Sequence, residues 1–163
     1  MTTSKWMHAG NMLKMNAINY AEKLGWQDKN NEYSFKDWNE RSCRLANGLK
    51  ELGVGQKDTF AVIAYNRGEW MDIYAGCAKG GQWVVPLMFR LAGPDIEYIV
   101  NHSDAVLVFA QDEEQLDKLM EIRQEIPAVR KVVLFSGTPP DDDWVLTYEA
   151  FLELGNDVED AVL

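Results

Sequence analysis

The sequence predicts an α/β fold, a largely parallel sheet with helices on both faces, built from successive βαβ units. Two observations predict it. Short apolar, β-branched runs alternate with helix-patterned stretches at a spacing of roughly 20 residues. Those runs are apolar at almost every position, which strands covered on both faces require. A chain of 163 residues fits one such domain over 1–163, with residues 136–163 forming an acidic loop and short helix at its C-terminal end.

Leu13, Ala17, Tyr20, Ala21 and Leu24 share one face of a 3.6-residue period, so a first helix is expected over 11–24. Asn11 is suited to cap it and Gly25 to end it; 26–32 reads as a polar loop. Ser34 stands three residues before Asp37, a capping-box spacing. The helix it opens carries Trp38, Leu45, Leu49 and Leu52 as its stripe and stops at Gly53. Residues 59–65 read as a first buried strand, with Asn66-Arg67-Gly68 turning the chain into a helix marked by Trp70, Ile73, Tyr74, Cys77, Ala78 and Gly81. Residues 83–87 read as a second buried strand, with Pro86 near its end. Pro94 suits a first helical turn running through about 102. A strand over 105–109, a helix over 113–126 with Leu116, Leu119, Met120 and Ile126 inward, a strand over 132–135, a polar loop over 136–143 and a helix over 148–154 complete the reading.

Charge and cysteine usage exclude several classes. No apolar run is long enough to span a bilayer, and residues 1–6 lack the apolar core of a signal peptide, so a cytoplasmic protein is expected. The two cysteines, Cys43 and Cys77, cannot build a disulfide framework. Residues 112–163 hold 14 acidic against 4 basic side chains, which accounts for the whole net charge of −10. Such a surface repels a phosphate backbone, so no nucleic-acid or anionic-membrane partner is expected.

Catalytic motifs are scarce. Neither a Gly-x-Gly-x-x-Gly fingerprint nor a Gly-x-x-x-x-Gly-Lys-Ser/Thr loop is present. Gly80-Gly81 lies at a helix-to-strand step, the reverse of what phosphate binding needs. Ser136-Gly137-Thr138 resembles a phosphate loop, but Pro139-Pro140 removes two amide donors and three aspartates follow. His8 and His102 are isolated; Cys77 lies on an apolar stripe and Cys43 has no nearby histidine. Asp141, Asp142 and Asp143 lack the spacing of a calcium loop, and no metal site is expected. Ligands of open α/β sheets bind beyond the carboxyl ends of the strands. There Asn66, Phe89 and Arg90 are the candidate binding residues, an amide, an aromatic plane and a fixed cation suited to an anionic thioester or nucleotide.

Three stretches together resemble the start of an acyl-CoA synthetase of the adenylate-forming superfamily. Residues 33–49 (YSFKDWNERSCRLANGL) are similar to its Thr-Tyr-x-Glu-Leu segment and following helix. Residues 61–70 (AVIAYNRGEW) are similar to its next strand and turn, and 78–91 (AKGGQWVVPLMFRL) to its Lys-x-Gly-x-x-x-Val-Pro-Leu-Asn-x-Arg-Leu motif. The similarity spans about residues 11–155. Met88 replaces the usual Asn, and Lys57 replaces the usual Gly before Asp58. The resemblance implies a fatty- or aryl-acid–CoA ligase that uses ATP, magnesium and coenzyme A. It places the phosphate loop, acyl pocket and catalytic lysine downstream of the matched region, so it implies no catalytic residue and no cofactor held by this chain alone. It implies, as partner, the missing C-terminal part of the ligase, and apolar surface left open for a homodimer, with Trp6, Trp26 and Trp144 as candidates. The competing expectation is a stand-alone α/β binding or interaction module derived from that subdomain. A phosphoacceptor receiver is excluded, because the acidic pair after a first strand is missing.

Overall fold

The computed structural model describes residues 9–156. In chain order the elements are α1 (Ala9–Asn19), β1 (Leu24–Gln27), β2 (Glu32–Ser34), α2 (Phe35–Glu51), β3 (Thr59–Ile63), α3 (Glu69–Gly80) and β4 (Trp83–Leu87), then α4 (Gly93–His102), β5 (Ala105–Ala110), α5 (Glu113–Glu121), a 3-10 turn (Arg123–Glu125), β6 (Lys131–Leu134), β7 (Val145–Thr147) and α6 (Tyr148–Leu154). Five strands form one parallel sheet in the order β4-β3-β5-β6-β7, and β1 and β2 form a separate antiparallel hairpin. This is the α/β architecture expected.

Alternation along the central strands splits the core into two layers. Ala61 and Ile63 of β3, with Val108 and Ala110 of β5, face α4 and α5 and meet Ile96, Val100, Leu116 and Leu119. Phe60 and Val62, with Leu107 and Phe109, face the other way onto Leu45, Leu49, Ile73 and Phe151 of α2, α3 and α6. Every residue of β3 is buried, as its unbroken apolar run requires.

Local signals hold where they rest on backbone chemistry. The Asp37 amide donates to Ser34 Oγ at 3.1 Å, and the Ser34 amide donates to Asp37 Oδ2 at 3.2 Å. Gly81 ends α3 in the left-handed region at φ 75°, which makes the Gly80-Gly81 pair a helix stop. Pro94 sits in the first turn of α4. Lys57, at the position where the resembled family carries Gly, is held at φ 70°. That explains the usual glycine, since a Cβ strains this conformation.

Other expectations are corrected. The first helix ends at Asn19 instead of 24, and residues 24–34, read as a helix end and polar loop, form a hairpin. Asp28 folds its turn by accepting the amides of Asn30 (2.7 Å) and Asn31 (2.8 Å), and the Trp26 and Tyr33 rings lie 4.7 Å apart. Strand β4 is an edge strand, and Trp83 is 61% exposed where a buried residue was expected. The Trp83 amide donates to Asp58 O, so by alternation Val84 and Pro86 face away from β3, and Pro86 removes a donor only from the open edge. The helix read over 113–126 stops at Glu121 and tightens into the 3-10 turn, though Ile126 remains buried. Strand β7 was not anticipated; three residues beside an aspartate run give too short a pattern to read. Trp144 is only 6% exposed and donates its indole N–H to Val129 O at 3.0 Å, so it is a core residue and offers no surface patch. Trp26 is half-buried, while Trp6 and His8 lie outside the described residues.

Candidate functional site at the carboxyl ends of the strands

The chain leaves β3 toward β4 and then crosses back over β3 to β5, so the strand order reverses direction between β3 and β5. Loops leaving two such strands diverge and open a crevice at their carboxyl ends. Gln111, just past β5, organises it. Its backbone amide donates to Ile63 O at 3.0 Å, and its side-chain oxygen accepts the Tyr65 amide at 2.6 Å. Its carbonyl accepts Arg67 Nη1 at 3.2 Å and the Ser136 hydroxyl at 2.8 Å. The loops after β3, β5 and β6 are thereby tied to one residue.

Arg67 lies across this junction. Its guanidinium makes two 2.7 Å hydrogen bonds to Glu69 and sits 4.8 Å above the centre of the Phe135 ring. A bidentate pair of this kind leaves little capacity for a ligand. On one side a cleft of about 590 Å3 is lined by Trp26, Asp28, Asn66, Arg67, Glu69 and Gln111 among others. On the other, a cleft of about 650 Å3 is lined by Tyr65, Asn66, Trp70, Tyr74, Met88 and Phe89 among others. The first is polar, and the second is aromatic.

Of the candidates read from the sequence, Asn66 borders both clefts and Phe89 borders the aromatic one. Arg90 is exposed and stands 5.1 Å from the centre of the Phe89 ring, beside the cleft and outside its lining. Phe89 stacks on Tyr65 with ring centres 3.5 Å apart. Arg67 and Gln111 escaped the candidate set. Their importance follows from strand order, and no local pattern encodes strand order.

The other sequence lures resolve structurally. The Thr138 amide in Ser136-Gly137-Thr138 donates to Glu113 Oε1 at 2.8 Å, so a carboxylate of the chain itself already occupies the side from which a phosphate would approach. Burial pushes the Cys77 thiol up to about 12, which leaves no thiolate at neutral pH, and Cys43 is buried. His102 stacks on Tyr98. Asp142 is held below the usual carboxylate range by the Trp144 amide and by Arg123, whose Nη1 lies 2.6 Å from it. Among the described residues no three His, Cys, Asp or Glu side chains gather as a metal site, and no helix is long and apolar enough to cross a membrane. These residues alone do not fit a magnesium triphosphate: Arg67 is committed to Glu69 and the loop amide to Glu113.

A family model described as "AMP-binding enzyme" matches residues 13–160. The human long-chain-fatty-acid–CoA ligase ACSBG1 is 28% identical over 138 residues, covering 84% of this chain and 19% of its own length. The indoleacetate–CoA ligase of Aromatoleum aromaticum is 28% identical over 161 residues, covering 96% of this chain and 29% of its own length. Among solved structures, the anthranilate CoA ligase AuaEII with anthranoyl-AMP superposes with a TM-score of 0.81 at 22% identity, over 97% of this chain and 29% of that one. The chain thus spans between about a fifth and a third of the length of the ligases it matches, and the shared part is the N-terminal α/β region. On the match of 13–160 and the agreement in fold, the chain belongs to the AMP-binding enzyme family.

Proposed function

We propose that this chain is the N-terminal part of an ATP-dependent, cytoplasmic acyl-CoA synthetase, joining a carboxylic acid to coenzyme A with release of AMP and pyrophosphate, and that it does not turn over by itself. The observation that carries this reading is the near end-to-end family match of a chain that spans only 19–29% of its ligase relatives. Adenylation depends on preorganised positive groups and a metal around the transferred phosphates. In this reading those groups, with ATP, magnesium and coenzyme A, belong to the remainder of the ligase, its C-terminal part. Asn66, Phe89 and Arg90 are this chain's contribution to the wall facing a nucleotide or thioester. ATP–pyrophosphate exchange over a panel of aliphatic and aromatic acids tests the proposal. The expected result is no acid-dependent exchange above a buffer blank; such exchange in protein free of contaminating ligase overturns it.

The reading includes self-association of the isolated chain as a two-fold dimer. Met12, Ile18 and Leu24 are each more than half exposed, and covering such side chains removes apolar surface from water. Light scattering behind a sizing column at tens of micromolar is expected to give twice 18.6 kDa, and a constant 18.6 kDa across a tenfold dilution refutes the dimer.

A further inference from the structure

We infer that the cleft at the amino ends of β3, β4 and β5 binds a small organic monocation of the alkylguanidinium class, stacked on Trp83 and paired with Asp104. The cleft holds about 410 Å3, within the range of small-molecule sites, and Lys57, Asp58, Trp83, Val85 and Asp104 are among its lining residues. It lies at the opposite end of the strands from the candidate site and does not rest on the ligase reading. Its walls are the openings of three neighbouring strands: Lys57 and Asp58 lead into β3, Trp83 begins β4, and Ser103 and Asp104 lead into β5. Backbone hydrogen bonds fix the first two walls against each other. The Lys57 amide donates to Gly81 O and the Trp83 amide to Asp58 O, both at 2.9 Å. Lys57 and Asp104 are the non-glycine residues held at positive φ among the described residues, at 70° and 54°, and both line this cleft. Backbone of this kind persists only where the surrounding structure enforces it, and it gathers at ligand clamps.

The lining chemistry selects the ligand. Trp83 is 61% exposed, and among the described residues no ring stacks on its indole and no cation lies over it. An uncovered indole is the best side-chain platform for a cation. The exposed Asp104 carboxylate has no hydrogen bond or ion pair among the described residues, so both of its oxygens are open to a donor. Asp58 is partly spent, since its Oδ2 accepts the Gly55 amide at 2.7 Å. Lys57 pairs with neither carboxylate, so two negative charges and one positive line the cleft, a balance that matches a monocation. A guanidinium suits these groups better than an ammonium. It is planar, stacks flat on an indole, sheds water easily and presents parallel N–H donors to a carboxylate. A quaternary ammonium has no donor for Asp104. The half-buried Val85 offers apolar surface to the alkyl chain. Anionic ligands are disfavoured by the two carboxylates.

Nitrogen-15 NMR of the tryptophan indole N–H groups tests this on the 163-residue chain at low salt and pH 7, with Trp83→Phe identifying the Trp83 signal among the six tryptophans. Ligase competence does not enter the readout. Titration with butylguanidinium is expected to shift the Trp83 signal saturably while the other indole signals stay in place. Butylammonium binds about threefold more weakly, and neutral butylurea, of similar shape, gives no saturable shift. Asp104→Asn, at an exposed position, weakens butylguanidinium about fivefold, whereas Lys57→Gln, which removes the opposing charge, strengthens it about twofold. Unchanged signals from the other tryptophans confirm the fold of each variant. No saturable shift at Trp83, butylurea or butylammonium bound as tightly as butylguanidinium, affinity unchanged in Asp104→Asn, or affinity lowered in Lys57→Gln each overturns the inference.

Discussion

The two layers flanking the sheet are built on opposite plans. The layer under α4 and α5 is nearly dry: Ile96, Val100, Leu116 and Leu119 meet the sheet through hydrocarbon, and Gln115 is the polar side chain that α5 buries. The layer under α2, α3 and α6 contains buried polar groups, with Ser42, Asn47, Asp72 and Lys79 all at or below 3% exposure. At its centre Asp72 Oδ2 receives Arg41 Nε at 2.8 Å, Arg41 Nη2 at 2.7 Å and the Tyr148 hydroxyl at 3.2 Å. Arg41 in turn stacks on Tyr33 at 4.8 Å, and Lys79 Nζ donates to Asn39 at 2.7 Å. One carboxylate therefore links the hairpin, α2, α3 and α6. The difference teaches that the dry side is held by shape and area, while the wet side is held by a few directional contacts that fail together.

The largest expected effect comes from breaking those contacts on one side only. Arg41→Ala strands the buried Asp72 carboxylate and is expected to destabilise by about 4 kcal/mol, read from denaturant melts. Leu119→Ala on the dry side removes a fully buried side chain and is expected to cost about 3 kcal/mol with an unchanged denaturant slope. Replacing both charged partners, Arg41→Met with Asp72→Leu, sharpens the contrast: the loss shrinks to within about 1–2 kcal/mol of the unmodified chain, because no orphaned charge remains. A double-change cost equal to that of Arg41→Ala alone rejects the directional account of the wet side.

Acid titration separates the layers further. Burial pushes the Asp72 carboxyl above its ordinary value, against the pull of Arg41. A raised folded-state pKa gives a contribution that is complete below the unfolded value near 3.8 and lost as pH rises through the folded value. The margin of the unmodified chain over Asp72→Asn is therefore expected to be widest near pH 3 and to narrow on raising the pH. The smallest effect lies at the entrance of α2. Asp37 is held below its ordinary value by the Ser34 hydroxyl and amide, so its contribution is present above about 4 and fades as pH falls. Ser34→Ala is expected to cost about 1 kcal/mol at pH 7 and less at pH 3.

Legibility followed the range of the interaction. The Ser34–Asp37 box, the Gly81 stop and the Pro94 start were readable, because each is decided within a few residues. The hairpin over 24–34 was not, since the Trp26–Tyr33 contact overrides the helical period running through Leu24. Strand β7 takes its identity from pairing with β6, which three residues do not announce. At the candidate site, Asn66 and Phe89 could be found as strand ends, but the roles of Arg67 and Gln111 emerge only when β5 is known to lie beside β3. The Asp72–Arg41 pair, 31 residues apart in sequence, was equally hidden.

Pro86 has a consequence for how such a sheet is assembled. A newcomer strand approaching along β4 finds a proline where it needs a donor, with only Val84 offering an amide on that side. The opposite margin, β7, carries no proline. A strand added beside β4 therefore forgoes one ladder hydrogen bond that a strand added beside β7 would not lose to a proline. A single pyrrolidine ring makes the two margins of the sheet unequal.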